Sequence, residues 1–428
     1  MTDDRRSDIA LIGLWHLGSV SAAAWTTLGL RVVGWDPDSG LREALCRGEA
    51  PVSEPGIDQA LAAALSLKTF SIAPKADAAI AGAAVTHIAF DTQLGSSSLP
   101  DDPRLDKAVE SFVRAAPDGA LLLVSSQVPA GTCRGWKALL DAEQRGLLIA
   151  HVPENLRLGS SLDDFLHPPR LLVGADEDEA FDRAAALLAP LGTTPIRLGL
   201  SSAEMAKHAT NAYLALCIAF ANDLAWVSRF VGADPTEVTE ALRADPRVSP
   251  TAPLRPGTAF SGATLIRDLA TLRSLGEEAG RPALFAAVIE TNEQHATLAL
   301  AWLEESLGGL AGKHVAVAGL TYKPGTSTLR DSLPLRIVGD ILERGATVAA
   351  WDPSAEAFGP RDGLTRSPTL AASLEGADCL VVLTALPEIR TADWAALQPG
   401  SGIVVDACGG VDRKAAEAAG WSYRGLDG

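Results

Sequence analysis

One pattern occurs twice in this chain of 428 residues, and it restricts the fold more than any other feature. IALIGLW (residues 9–15) is an apolar run that ends in a glycine turn, a helical stretch follows, and VVGWDP (32–37) is a second apolar run that ends in an acid. HVAVAGL (314–320), a helical stretch over 335–344 and ATVAAWDP (346–353) repeat this order. This order of strand, glycine turn, helix, strand and acid is typical of one half of a dinucleotide-binding domain. The sequence therefore predicts an α/β protein with two Rossmann-like, doubly wound domains.

The stretch between these units is predicted to form one long helix over residues 201–234. Its apolar residues recur at i, i+3 and i+4, and it contains neither Pro nor Gly before Gly232. Ser202 is expected to cap its start. Lys207 and Asn211 are four residues apart and project from one face. A lysine beside apolar neighbours either extends its ammonium into water or has a chemical task, and the helix alone favours the first.

The composition excludes several classes of protein. Lys and Arg number 36 against 53 Asp and Glu, a net charge of −17 that argues against a nucleic-acid-binding surface. The five cysteines are scattered and form no CxxC, which argues against a disulfide framework or a zinc site and fits a reducing compartment. We expect no metal. The polar start MTDDRRSD leads directly into the first strand, and no run of about 18 apolar residues occurs, so a cytoplasmic protein is expected.

The first turn carries the features that recognise a dinucleotide. Gly13 and Gly18 flank the turn, and Asp36 follows about 20 residues later, where an acid accepts hydrogen bonds from the ribose and favours NAD over NADP. Trp15 stands where the fingerprint has its second glycine, the one that lets the backbone approach the pyrophosphate. This turn alone leaves open whether the unit binds a dinucleotide or is an ordinary strand–turn–helix connection.

Five further segments add more specific motifs, in order, along nearly the whole chain. They are ALCRGEAPVSEPGI (44–57), VPAGT (128–132), PENLRLGSSLDDFLHPPRLLVG (153–174), AEMAKHATNAYLA (203–215) and GLTYKPGTSTLRDS (319–332). Together they resemble the UDP-glucose/GDP-mannose dehydrogenase family. The resemblance implies an N-terminal NAD-binding Rossmann domain (1–200), a central helical dimerisation region (201–305) and a C-terminal Rossmann-like domain that binds a nucleotide sugar (306–428). It also implies a homodimer that works in polysaccharide biosynthesis.

The resemblance assigns catalytic roles to four residues. Lys207, Asn211, Glu154 and Asp268 match the family's residues that hold the reacting sugar oxygen and a water. Elementary chemistry agrees, because a hydride leaves a carbinol carbon only as the hydroxyl proton goes to a base, and ammonium and amide donors stabilise the oxygen's developing charge. For Glu154 and Asp268 the alternative is a surface charge or half of a structural ion pair, and their place among these motifs favours the catalytic role.

The resemblance also implies contacts to both ligands. The residues expected to contact the cofactor are Gly13, Trp15, His16, Leu17, Gly18, Asp36, Thr92, Ser126 and Arg330. Those expected to contact the substrate are Arg247, Leu254, Arg255, Phe260, Gly262 and Lys323. For the arginines, a solvated surface charge is the alternative.

The sequence departs from the family at its nucleophile. In AFSGATLIRD (259–268), Thr264 stands where the family has the cysteine that captures the aldehyde formed by the first oxidation. A threonine hydroxyl does not ionise near neutral pH without a dedicated base, so Thr264 is expected only to form hydrogen bonds. Cys408 could be nominated as a replacement, but a small residue in a tight turn is the favoured interpretation.

We therefore predict an NAD-dependent oxidoreductase that oxidises a hydroxyl of a nucleotide-linked sugar, or of a related phosphorylated alcohol, by a two-electron step. Two alternatives stay open. One is a redox epimerase that uses bound NAD transiently. The other is a catalytically silent relative that binds NAD or a nucleotide sugar.

Overall fold

The structure is a computed structural model that describes residues 7–52, 54–92, 102–327, 329, 331–355, 361–397 and 402–426. The chain separates into two compact units, Met1–Ala209 and Thr210–Gly428. The long helix α9 (Leu200–Phe230) carries the chain from the first unit into the second. The finer domain bounds expected from the sequence stay a prediction.

The first unit is built on a mostly parallel sheet. Its strands are β1 (Ile9–Ile12), β2 (Val32–Trp35), β3 (Phe70–Ile72), β4 (Val85–Ile88), β5 (Leu121–Val124), β6 (Leu148–His151), β7 (Leu171–Gly174) and β8 (Pro195–Leu198). Among the described residues they lie in the order β3-β2-β1-β4-β5-β6-β7-β8. Strands β6 and β7 pair antiparallel, through His151 and Gly174, and the other neighbours are parallel.

Helices cover both faces of this sheet, and the burial of β1 shows why its strands are apolar throughout. Ile9 and Leu11 belong to one buried cluster, whereas Ala10 and Ile12 belong to another. Successive side chains of a strand point to opposite faces, so both faces are dry. The helices of the unit are α1 (His16–Thr27), α2 (Ser39–Cys46), α3 (Ile57–Ser66), α4 (Ala76–Ile80), α5 (Pro103–Ala115), α6 (Thr132–Ala142), α7 (Ser161–Leu166) and α8 (Asp178–Leu188).

The second unit repeats the doubly wound design. Its strands are β9 (His314–Ala318), β10 (Thr347–Trp351), β11 (Leu364–Arg366), β12 (Cys379–Val382), β13 (Ile403–Asp406) and β14 (Ser422–Gly425). In its described part they are parallel and lie in the order β11-β10-β9-β12-β13-β14, which is the 3-2-1-4-5-6 order of a Rossmann fold. Its helices are α10 (Pro235–Arg243), α11 (Ala263–Glu278), α12 (Ala283–Ala296), α13 (Leu298–Leu307), α14 (Leu333–Glu343), α15 (Leu370–Ser373), α16 (Pro387–Arg390) and α17 (Arg413–Ala418).

The predicted fold class, two Rossmann-like domains with a long central helix, is confirmed. The strands β3, β11 and β14, each at an edge of its sheet, were not predicted from the sequence. Edge strands are short and partly exposed, so their apolar pattern is weak. The cap expected at Ser202 is wrong, because α9 already begins at Leu200, whose N–H donates to Asp176 Oδ1 (3.0 Å) in the loop after β7. None of the described helices has the length and hydropathy that crossing a bilayer requires.

Candidate active site

The turn between β1 and α1 fits a dinucleotide. Gly13 has a φ of 92°, where side chains are strained. A Cβ on Gly18 would lie 2.0 Å from the carbonyl O of Gly13, so α1 reaches the turn this closely only with glycine at that position. The Leu14 N–H donates to Asp36 Oδ2 (2.8 Å), which fixes this buried carboxylate at the end of β2. The glycine cradle and the acid beside it are the two elements that hold a pyrophosphate and a ribose.

The two bulky residues of this turn lie in different surroundings. Trp15 is the N-cap of α1 and is 37% exposed. The His16 ring meets a buried carboxylate: its Nε2 lies 2.6 Å from Glu54 Oε1, which also accepts from Ser161 Oγ (2.6 Å). Burial lowers the pKa of His16, but the hydrogen bond to Glu54 and the charges of nearby carboxylates raise it, and the net pKa lies above its usual value. Glu54 and Ser161 were not predicted as partners of His16, because they lie 38 and 145 residues from it in the chain.

The loops after β4 and β5 complete this edge of the sheet. Thr92 is buried, and its hydroxyl donates to the Gln127 carbonyl O (2.9 Å). Ser126 is fully buried, and its Oγ has no hydrogen-bond partner among the described residues. Asp91 accepts a hydrogen bond from the N–H of Leu17 in α1 (3.0 Å). Asp91 was not predicted as part of this site, although its place three residues after the end of β4, at the carboxyl edge of a parallel sheet, could have indicated it.

Lys207 and Glu154 meet in the first unit. Lys207 Nζ lies 3.4 Å from Glu154 Oε1, and Glu154 Oε2 accepts from the Leu156 N–H (2.8 Å), which holds the carboxylate in place. Both side chains line the same small pocket. His151 lines it too, and its Nδ1 has no hydrogen-bond partner in the described part of the chain. Burial lowers the pKa of His151 to about 3, so this imidazole is neutral at physiological pH.

Asn211 and Asp268 meet in the second unit. The Asn211 Nδ2 donates to the carboxylate of Asp268, and both side chains are buried. Asp268 lies in α11, one turn after Thr264, which is the second residue of that helix and is exposed. Gly262, with a φ of 82°, is the N-cap and supplies no side chain to the helix end. The first turn of α11 therefore presents Thr264 at an end where the helix dipole favours negative charge.

The residues expected to bind substrate lie in contrasting environments. Arg247 is exposed and paired with Asp245 (2.6 Å), and Arg255 is exposed. Leu254 and Phe260 are buried in two apolar clusters of the second unit, and the N–H and carbonyl O of Phe260 are both bonded to the Asn292 side chain. Lys323 is half-buried, with its Nζ 5.7 Å from the centre of the Tyr322 ring. Arg330 lies outside the described residues. The ligand contacts expected of these residues stay predictions.

Cys408 has the surroundings of a structural residue. The Asp406 carboxylate accepts from the N–H groups of Cys408 (3.0 Å), Gly410 (3.1 Å) and Val411 (2.9 Å) and thereby builds the turn after β13. Burial, with the charge of Asp406, raises the pKa of the Cys408 thiol, which is the opposite of what a nucleophile needs. Within the described residues, no group of three or more His, Cys, Asp or Glu side chains is arranged to hold a metal ion.

Comparison with known proteins gives one consistent family. The family models for the NAD binding, central and UDP binding domains of the UDP-glucose/GDP-mannose dehydrogenase family match residues 7–192, 201–294 and 316–413. The chain is 32% identical to the UDP-glucose 6-dehydrogenase AglM of Haloferax volcanii over 406 residues, which covers 90% of this chain and 93% of that protein. It is 29% identical to the UDP-glucose 6-dehydrogenase TuaD of Bacillus subtilis, with 89% and 84% covered.

Solved structures agree with these sequence relationships. A UDP-glucose dehydrogenase from Pyrobaculum islandicum is similar with a TM-score of 0.89 and 32% identity, over 100% of this chain and 99% of that one. A UDP-D-ManNAc dehydrogenase from Pyrococcus horikoshii is similar with a TM-score of 0.87 and 26% identity, over 98% and 99%. The order of the domains, the glycine turn and the full-length similarity lead to one conclusion: this chain belongs to the UDP-glucose/GDP-mannose dehydrogenase family and is an NAD-dependent oxidoreductase that acts on CH–OH groups.

Proposed function

We propose that the protein oxidises a hydroxyl of a UDP-linked sugar to a carbonyl in a two-electron step, with Lys207, Asn211, Glu154 and Asp268 as its reacting groups. One observation carries this proposal: α9 holds a buried lysine and a buried asparagine one turn apart, and each is bonded to a carboxylate. Isolated buried charges are costly, and the same donors and acceptors are what the oxidation of an alcohol requires.

Each of the four residues has a task that follows from its contacts. NAD, when bound, accepts the hydride from the carbinol carbon. The Lys207 ammonium and the second N–H of the Asn211 amide would donate to the sugar oxygen as its negative charge develops. Asp268 fixes the orientation of that amide. Glu154, anchored by the Leu156 N–H and adjacent to Lys207, would accept the hydroxyl proton directly or through a water.

The threonine at position 264 is the reason why we propose a single oxidation. A second oxidation by the family's route needs a thiolate that adds to the aldehyde, and a hydroxyl at this position cannot supply one near neutral pH. The five cysteines are free, but Cys133, Cys217, Cys379 and Cys408 are buried. Cys46, the exposed one, ends α2 in the first unit. None of the five cysteines lies close to residue 264 in the sequence, so none is placed there to take over the role of Thr264.

The substrate class rests on the relatives. The two curated relatives are UDP-glucose 6-dehydrogenases, and the C-terminal family model is that of a UDP binding domain. These observations support a UDP-linked sugar. We further propose that the reaction takes place in the cytoplasm, since all five cysteines are unpaired.

A homodimer is part of the proposal. Helix α9 exposes a stripe of large apolar side chains in the second unit: Tyr213, Phe220, Val227 and Phe230 are 52%, 48%, 61% and 91% exposed. The first three are spaced seven residues apart, which is the repeat of a helix that packs along another helix. A second copy of the same helix would cover them.

The decisive experiment measures NADH formed per sugar consumed, with UDP-glucose and a panel of other UDP- and GDP-sugars, and identifies each product by mass. One NADH per sugar and a carbonyl product would support the proposal. Two NADH and an acid would refute its two-electron part. No net NADH but an epimerised sugar would favour the redox epimerase. Bound NAD with no product from any sugar would favour a silent relative.

A further inference from the structure

The start of α1 is already in contact with an anion that belongs to the protein. Asp91, three residues after the end of β4, places its Oδ2 3.0 Å from the backbone N of Leu17. Leu17 is the second residue of α1, so its N–H is one of the donors at the helix start that have no partner within the helix. No side chain of the N-cap residue Trp15 bonds to this end.

A dinucleotide needs the same place. In a glycine turn that leads into a helix, the pyrophosphate lies against the N–H groups at the helix start, attracted by the helix dipole. A carboxylate on one of those groups competes with the phosphates for the donor and repels their negative charge. Cofactor and Asp91 carboxylate therefore cannot both use the Leu17 N–H.

The surrounding contacts allow the carboxylate to leave without a change of the backbone. Arg104 Nη2 donates to the carbonyl O of Asp91 (3.1 Å), and Arg104 is itself held by Asp102 (2.5 Å) and by its position over the Phe90 ring. The next residue is fixed by the hydrogen bond from the Thr92 hydroxyl. Because these contacts hold the main chain at Asp91 and Thr92, the carboxylate leaves the helix start by rotation of its own side chain.

We propose that Asp91 is an internal competitor of the cofactor: its carboxylate occupies the phosphate position at the start of α1, must turn away when NAD binds, and returns when NADH leaves. Asp91 thereby weakens the binding of both forms of the cofactor and speeds their release. The inference rests on NAD as the cofactor of this family, but not on the proposed sugar or on Thr264.

The test is calorimetric titration of NAD and of NADH, without any sugar, into the wild-type protein and two variants. Asp91→Asn keeps the shape and an acceptor but removes the charge, and Asp91→Ala also removes the acceptor. We expect both variants to bind NAD and NADH about tenfold more tightly than the wild type, which is the order of a charge effect at a helix start. Asp234→Asn is the matched control, because Asp234 caps α10 in the same manner through the N–H groups of Thr236 and Glu237.

Melting temperatures without cofactor separate this role from a structural one. If Asp91 only stabilises the helix start, Asp91→Ala should lower both the melting temperature and the affinity for NAD. The proposal requires a lower melting temperature together with a higher affinity. It is overturned if the affinities of both Asp91 variants stay within twofold of the wild type or fall, if Asp234→Asn gains as much, or if no protein of the series binds NAD. Because no sugar is present, failure here is independent of failure of the proposed oxidation.

Discussion

Replacing Thr264 by cysteine should convert the enzyme from one oxidation to two. In the Thr264→Cys variant, the thiolate can add to the carbonyl carbon of the bound aldehyde and form a thiohemiacetal. A second hydride then leaves that carbon, and water hydrolyses the resulting thioester to an acid. Each sugar would reduce two NAD instead of one. The sequence position and the exposed location of Thr264 at the start of α11 make this single change sufficient to introduce the nucleophile.

The structure sets the size of the effect through the ionisation of the new thiol. Residue 264 is the second residue of α11, and no acidic side chain in the first turn offsets the helix dipole. A dipole interaction of about 0.3–1 kcal/mol lowers a thiol pKa by roughly 0.2–0.7 from its usual value near 8.5. At pH 8.5, about 60–80% of the thiol would then be ionised, whereas the threonine hydroxyl is not ionised measurably.

The assay counts NADH per UDP-sugar consumed and identifies the product by mass. The wild type and the control variant Thr264→Ser should each give one NADH and a carbonyl compound, because both carry a hydroxyl. Thr264→Cys should approach two NADH and an acid, with a yield of acid that rises with pH as the thiol ionises. If Thr264→Cys still stops at one NADH while iodoacetamide modifies the new thiol, the reasoning that the missing thiolate limits the reaction is refuted.

Three further predictions test other parts of the molecule. Lys207→Ala should lower kcat/KM by about 100–1,000-fold while the affinity for NAD stays within about twofold of the wild type. The control Lys137→Ala removes a lysine that is paired with Asp141 and should leave turnover unchanged. Equal losses in the two variants would argue against a catalytic role for Lys207. His16→Gln should lower the free energy of unfolding most near pH 6. The pKa of His16 is raised and that of Glu54 is lowered in the folded protein, so the charged pair stabilises the fold at pH values below the usual His pKa. This stabilisation is lost as the pH rises through the raised pKa of His16. Urea unfolding at pH 6 and pH 9 checks this, and an equal difference at both would contradict it. Phe230→Glu should halve the mass seen by light scattering, and an unchanged mass would place the dimer contact elsewhere.

Much of the first unit followed from the sequence because its signals are local. The apolar runs of β1 and β2, the glycines of the first turn and Asp36 lie within about 30 consecutive residues, so their order alone identifies a βαβ unit. The contacts of the same turn did not follow. Glu54, in the loop before α3, and Ser161, the first residue of α7, are far from His16 in the chain, and no sequence pattern pairs them with it.

The catalytic candidates likewise divide into residues that a local pattern predicted and residues that it did not. The helical spacing of Lys207 and Asn211 is local and was predictable, and their carboxylate partners Glu154 and Asp268 came from the family resemblance. The structure adds that each contact exists: Lys207, Asn211 and Asp268 are buried, and Glu154 is half-buried.

The sequence by itself determined the two α/β units, the long helix between them, the family, and the absence of a cysteine at residue 264, because each of these is recorded in residue order and periodicity. Only the tertiary structure decided that Asp91 lies on the Leu17 N–H and that His16 is paired with Glu54. The reason is that a parallel sheet brings the ends of β1 and β4 side by side although 74 residues separate the two contacting groups. Contacts of that kind depend on how the strands cross over, and no local pattern records them.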